Sequence, residues 1–168
     1  MSKANKSKSS EARSGDAKSS ADHQIPTMPI VVNAQYIKDL SFETPGPLAS
    51  LEAKEAPSIS LNIEVKANPQ NESNRYEVEV IITAEAKQKE SRVFVLELTY
   101  AGTFTLNNIP EQSIAPLLLI ECPRLLFPFA RSIVADVTRD GGFPPLALAP
   151  VDFAEIYRAQ VMQMQEKS

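Results

Sequence analysis

The 168-residue chain has no tryptophan, one cysteine, one histidine and five glycines. Each scarcity closes off a class of chemistry. Cys122 alone can form neither an intrachain disulfide nor a multi-cysteine metal site. His23 lies in a Ser- and Lys-rich start, where a solvated residue without a role is the plain reading, so the rest of the chain has no imidazole for general acid–base work. Cys122 lacks a histidine partner and sits in apolar sequence, so it reads as a packed thiol rather than a nucleophile. Gly15, Gly46, Gly102, Gly141 and Gly142 make up neither a phosphate-cradling loop nor a dinucleotide fingerprint. Metal-ligand spacing is missing as well. No apolar run approaches the ~18 residues that a membrane-spanning helix needs. The basic start is followed by no apolar stretch, so it is not read as a secretory signal. The expectation is a non-enzyme without cofactor or metal, kept in the reducing cytoplasm and not inserted directly into a membrane.

Charge is scarce in one place and abundant in another. The chain holds 17 bases and 21 acids, a formal net charge of -4. The start is nevertheless basic, with Lys3, Lys6, Lys8, Arg13 and Lys18 against Glu11, Asp16 and Asp22, so the acidic excess falls on the remainder. Phosphate binding needs clustered Lys and Arg, which an acidic body does not offer, so no nucleic-acid partner is expected. Residues 1–29 are too polar to offset chain entropy by burial and are expected to be a disordered tail. The ordered domain is expected over residues 30–168.

Within that domain, strand-like alternation dominates the first half. Even positions from Val32 through Ala34, Tyr36, Lys38 and Leu40 to Phe42 alternate with Asn33, Gln35, Asp39, Ser41 and Glu43, which predicts a half-buried strand. Thr44-Pro45-Gly46-Pro47 breaks it. Ile59, Leu61, Ile63 and Val65 alternate with Ser60, Asn62, Glu64 and Lys66 in a second strand. A third places Tyr76, Val78, Val80, Ile82 and Ala84 opposite Glu77, Glu79, Thr83 and Glu85. The fourth, about Arg92 to Tyr100, is apolar on both faces at its start. Such a strand is covered on both sides or exposed for a purpose. A solvated face accounts for the pair Glu77 and Glu79 without any catalytic role.

Gly102 is expected to end the sheet, with Phe104-Thr105-Leu106 leading into a helix. Asn108 and Glu111 resemble a capping box around Pro110. Ser113 to Arg139 has helical pattern, and its Pro116, Pro123 and Pro128 predict kinks or separate pieces. Leu126, Phe129, Ala130, Ile133 and Val137 form the expected buried stripe. Asp140-Gly141-Gly142 stops this helix. The apolar Phe143–Pro150 stretch is expected to be packed rather than solvated. A last helix starts at Asp152, an N-cap with Glu155 three residues on. The fold class is therefore α+β: a four-stranded antiparallel sheet followed by helices.

More apolar surface is present than one subunit of this plan can cover. At ~25 cal/mol per Å², a contiguous patch of several hundred Å² is worth several kcal/mol once covered. A subunit interface accounts for it, as does a groove for an apolar guest. An apolar small-ligand carrier and a purely structural interaction module remain alternatives.

Three separated motifs carry a family likeness. They are Tyr36-Ile37-Lys38-Asp39-Leu40-Ser41-Phe42-Glu43, Cys122-Pro123-Arg124-Leu125-Leu126-Phe127-Pro128-Phe129-Ala130-Arg131, and Gly142-Phe143-Pro144-Pro145-Leu146-Ala147-Leu148-Ala149-Pro150-Val151-Asp152-Phe153. Together they resemble the SecB family of bacterial protein-export chaperones over about residues 30–157. The resemblance implies a homotetramer, a dimer of dimers, with helices between two eight-stranded sheets. It implies a cytoplasmic holdase that keeps unfolded secretory precursor proteins translocation-competent and delivers them to SecA, the translocase motor. It assigns Asp39, Glu43, Val95 and Glu97 to SecA binding. It assigns Ile59, Leu61 and Ile63, with Phe94, Leu125 and Phe127, to the precursor groove. The crossover from Leu48 to Ala56 departs from the family by carrying no aromatic residue, and Tyr36 and Phe42 are the expected substitutes. A toxin–antitoxin-associated role is a variant of the same reading.

Overall fold

The computed structural model describes residues 28–45 and 56–166. The expected tail lies outside the described residues except for Met28 and Pro29, whose carbonyls accept hydrogen bonds from Asn107. Most of the Leu48–Ala56 crossover also lies outside them. Four strands, β1 (Ile30–Glu43), β2 (Ser58–Pro69), β3 (Arg75–Gln88) and β4 (Ser91–Leu106), form one antiparallel sheet in the order β1-β4-β3-β2. β3 and β4 are central, and their alternation buries Val78, Val80, Ile82, Ala84 and Ala86 beside Phe94, Leu96, Leu98, Phe104 and Leu106. Helices α1 (Glu111–Pro116), α2 (Cys122–Asp140) and α3 (Phe153–Glu166) follow. The helices cover the face that carries this row, since a Cβ on Gly102 would stand 2.7 Å from Leu126 Cδ2. Among the described residues no helix covers the other face.

β1 departs from simple alternation. Its pairing with β4 jumps between Val32 and Ala34 and again between Ile37 and Asp39, so Asn33 and Lys38 are extra residues in two bulges. Each bulge reverses the facing of the strand. Val32, Leu40 and Phe42 pair with Phe104, Leu98 and Leu96 on the helix side, whereas Tyr36 pairs with Ala101 on the open side. The even-numbered row expected on a single face is therefore divided between two.

The prolines do not break the helical run. α1 passes into a widened π-type turn at Leu117–Glu121, and α2 continues from it without a gap. In the widened turn Cys122 N–H bonds to Leu117 O, five residues back. Such widening relieves the ring–carbonyl clash that Pro123 brings to a regular helix. The buried stripe also shifts from the one expected. Cys122, Leu126, Ala130, Val134 and Thr138 are inside at four-residue spacing, while Phe129 is 51% exposed. The uninterrupted run Glu111–Asp140 is long and apolar enough, by length and composition, to cross a membrane, contrary to the sequence expectation. Here its stripe is spent on the sheet.

Caps explain where the helices begin and end. No Asn108 capping box forms: Asn108 has φ 54, and Pro110 occupies the cap position, its carbonyl accepting from Ser113 N–H. At the other end Gly142 has φ 93, with Phe143 N–H bonding to Thr138 O and Gly142 N–H to Arg139 O, a Schellman closure. The chain then runs Phe143 to Pro150 with Leu148 buried, tied by Leu146 N–H to Thr138 Oγ1 at 2.9 Å. Asp152 Oδ1 accepts from Ala154 and Glu155 N–H and starts α3 as expected.

Candidate functional site

The open face of the sheet is divided by charge. Towards the amino-terminal end of β3, Tyr36 and Lys38 reach from β1 across β4 to β3. Tyr36 Oη donates to Glu77, and Lys38 Nζ bonds to Glu77 Oε2 at 2.7 Å and to Glu79 Oε1 at 2.6 Å. The strand they cross carries Ala101 at that point, paired with Tyr36 on one side and Glu79 on the other. The bonds to Glu77 and then Glu79 hold the Lys38 ammonium well above its ordinary value. Lys38, and Tyr36 after it, hold the Glu77 carboxyl below its own.

Towards the other end lie the four residues assigned to SecA binding. Ser41 pairs with Glu97 and Glu43 with Val95, while Asp39 pairs with Thr99, so Asp39, Glu43, Val95 and Glu97 share the open face on two adjacent strands. Among the described residues Asp39, Glu43 and Glu97 have no ion-pair partner, whereas Glu77, Glu79 and Glu85 do. Unpaired carboxylates on neighbouring strands give this end a net negative field.

The residues assigned to the groove belong to the helix face, with one exception. Ile59, Leu61 and Ile63 pair with Ala86, Ala84 and Ile82. Ile59 and Leu61 remain 44% and 46% exposed, because β2 is an edge strand that the helices leave bare there. Across the fully buried Ala84 and Ala86 lie Leu96 and Phe94. The Phe94 ring packs at a tilt against Phe42 and Phe143 at centroid separations of 5.5 and 5.1 Å, and the Phe42 ring fills the space over Gly141. Phe94 is 3% exposed and Phe127 is buried against Phe153, so in the single subunit both act as wall rather than contact surface. Leu125 is exposed on α2. Tyr36 is the exception: it lies on the open face, joined to Glu77, on the opposite side of the sheet from Phe42.

Two features were not singled out from sequence. Val32, Ile37 and Leu40 are exposed on the helix side of β1, and the exposed Phe129 stacks on Tyr100, which pairs with Ile37. The doubled apolar character of the sequence signals such a surplus but not its location. Continuing the β2 row, Val65 and Ala67 border an open cleft of about 810 Å³ whose other walls include Ile114, Leu118 and Met164. Cys122 is fully buried, and burial, with Glu121 second, pushes its thiol up to about 12, far from nucleophilic use.

A sheet with helices on one face, an acidic patch on the other and a bare apolar edge strand defines a chaperone-like module for binding other chains. The chain belongs to the SecB family. The family profile described as "Preprotein translocase subunit SecB" matches residues 23–164. The chain is similar to the protein-export protein SecB of Granulibacter bethesdensis, at 49% identity over 148 residues covering 83% of this chain and 86% of that protein. The SecB of Paramagnetospirillum magneticum is 55% identical over 134 residues, 79% of this chain and 86% of that protein. A solved Mycobacterium tuberculosis SecB-like chaperone, in complex with an antitoxin peptide, has the same fold at a TM-score of 0.60 and 14% identity, covering 73% of this chain and 91% of that one.

Proposed function

We propose that this SecB-family chain is a cytoplasmic export chaperone that holds unfolded precursor proteins and hands them to SecA, working without cofactor or catalysis as a homotetramer. The observation that carries the reading is the apolar row of exposed Ile59 and Leu61 and half-buried Ile63 on the strand that forms the edge of the sheet among the described residues. Every unfolded chain offers both apolar side chains and main-chain hydrogen-bonding groups, so such an edge binds many sequences weakly. Assembly of several copies turns weak contacts with one long guest into tight capture. Exposed Val32, Ile37, Leu40 and Phe129 on the helix side supply apolar area that neighbouring copies would cover.

Asp39, Glu43, Val95 and Glu97 are the SecA-docking residues in this reading, supported by their common face and, for the three acids, by the lack of an ion-pair partner among the described residues. Native mass spectrometry with and without a denatured precursor tests the first half. A tetramer carrying the precursor is expected. A carrier would ignore the precursor, and a structural module would assemble without binding it. Calorimetry tests the second half: Asp39→Lys is expected to weaken SecA binding by about tenfold or more at physiological salt while leaving precursor binding intact. Unchanged SecA affinity would remove Asp39 from the docking surface.

A further inference from the structure

We infer that Gln160 sets the length of guest chain that this protein captures: its side-chain amide closes the outer edge of β2 at Val65, so that a guest is taken as an added strand along Ile59–Ile63 and no further. The inference deepens the proposed function and rests on guest binding along β2.

In an antiparallel pair, residues alternate between turning both main-chain groups towards the partner strand and turning both away. Gln70 N–H bonds to Arg75 O at 2.8 Å just past the end of β2, in the same register as the β2–β3 pairs. Even-numbered residues of β2 therefore bond to β3, and odd-numbered ones present N–H and C=O to the outer edge. Pro69, which has no N–H, is odd-numbered, so its place in the strand removes no bond to β3. The odd-numbered Ile59, Leu61, Ile63 and Val65 also pair with Ala86, Ala84, Ile82 and Val80 in the apolar row on the helix side. One set of residues thus offers both main-chain groups and apolar side chains. An extended segment that is apolar at every second position matches both.

The edge is not equally open along its length. Ile59 and Leu61 are 44% and 46% exposed, Ile63 is half-buried, and Val65 is 5% exposed. The cover at Val65 comes with α3, where Gln160 Nε2 donates to Val65 O at 3.5 Å. That carbonyl faces the outer edge, so the Gln160 amide stands where the peptide N–H of an added strand would stand. Past Val65 the edge borders the open cleft, whose walls include Gln163 and Met164 of α3. Ile59, Leu61 and Ile63 are left to pair with a guest segment of about five residues. A longer guest gains main-chain bonds beyond Ile63 by displacing Gln160.

Gln160→Met keeps the length of the side chain and removes its donor. The probe is a synthetic peptide of about twelve residues in which valine and threonine alternate between terminal lysines, long enough to run the length of β2. It is added to the full chain while amide hydrogen exchange is followed residue by residue. In the parent the peptide is expected to slow exchange by about tenfold at Ile59, Leu61 and Ile63 and to leave Val65 unchanged. In Gln160→Met the slowing is expected to extend to Val65, with the peptide bound about threefold more tightly. The amides of Glu64 and Lys66, turned towards β3, serve as the internal reference and stay slow in both chains. Slowing at Val65 in the parent, or a Gln160→Met chain indistinguishable from the parent, overturns the role of Gln160 and leaves guest capture on β2 standing. No slowing at Ile59, Leu61 and Ile63 in either chain overturns capture at this edge, and the inference with it.

Discussion

Cys122 lies at the start of α2 with its sulfur sealed from water, and its thiol ionises only at about 12 against an ordinary 9.0. A group whose neutral form is favoured by folding adds stability below its unfolded value and loses it as pH rises. Between pH 9 and 12 the unfolded chain releases this proton and the folded one does not. Stability should therefore fall by up to about 1.4 kcal/mol per pH unit from this residue. Urea unfolding at pH 8, 9.5 and 10.5 is expected to show an extra alkaline decline in the parent that Cys122→Ala lacks. Apolar neighbours made the packed thiol legible in the sequence. They did not make Phe129 legible, because α2 is apolar on more than one side and spacing alone cannot choose which side meets the sheet.

Among the elements, β2 and β3 were legible because their alternation is unbroken where it matters, and the register of β2 on β3 has no irregularity. β4 was legible only in its first part: Gly102 does not end the sheet, and the strand runs on through Phe104 to Leu106, paired with β1 and β3. β1 was legible as a strand but not in its facing. Its two extra residues, Asn33 and Lys38, are ordinary polar residues that carry no turn signal. The prolines misled in the other direction. Pro116 and Pro123 flank a widened turn that accommodates them, and Pro128 simply forgoes one backbone bond. Pro128 is exposed, so its ring contributes little packing to the core. Pro128→Ala should restore the bond to Arg124 O and raise stability by about 1–3 kcal/mol, read as a higher urea midpoint at unchanged slope. An unchanged or lower midpoint would show that the ring is needed where it stands.

For the whole molecule, the sequence showed that apolar surface was in surplus, and the fold shows where it lies: along β2, on the helix side of β1 and on the outer side of α2. The gathering of Asp39, Glu43, Val95 and Glu97 on one face was implied by family resemblance. It could not be derived from periodicity, because Val95 and Glu97 come from a strand more than fifty residues away. Leu61→Asp places a charge in the middle of the exposed β2 row without touching the buried core. It is expected to leave assembly and thermal stability nearly unchanged and to reduce suppression of precursor aggregation at least about threefold, measured by light scattering. Full suppression by that variant would move guest binding away from β2.

Phe42 and Glu43 are chain neighbours that look in opposite directions. The ring of one rests over Gly141 beside Phe94 and Phe143, and the carboxylate of the other stands next to Val95. If cargo presses on the first and the motor on the second, a single planar peptide unit of about 3.8 Å from Cα to Cα is all the machinery that separates loading from unloading.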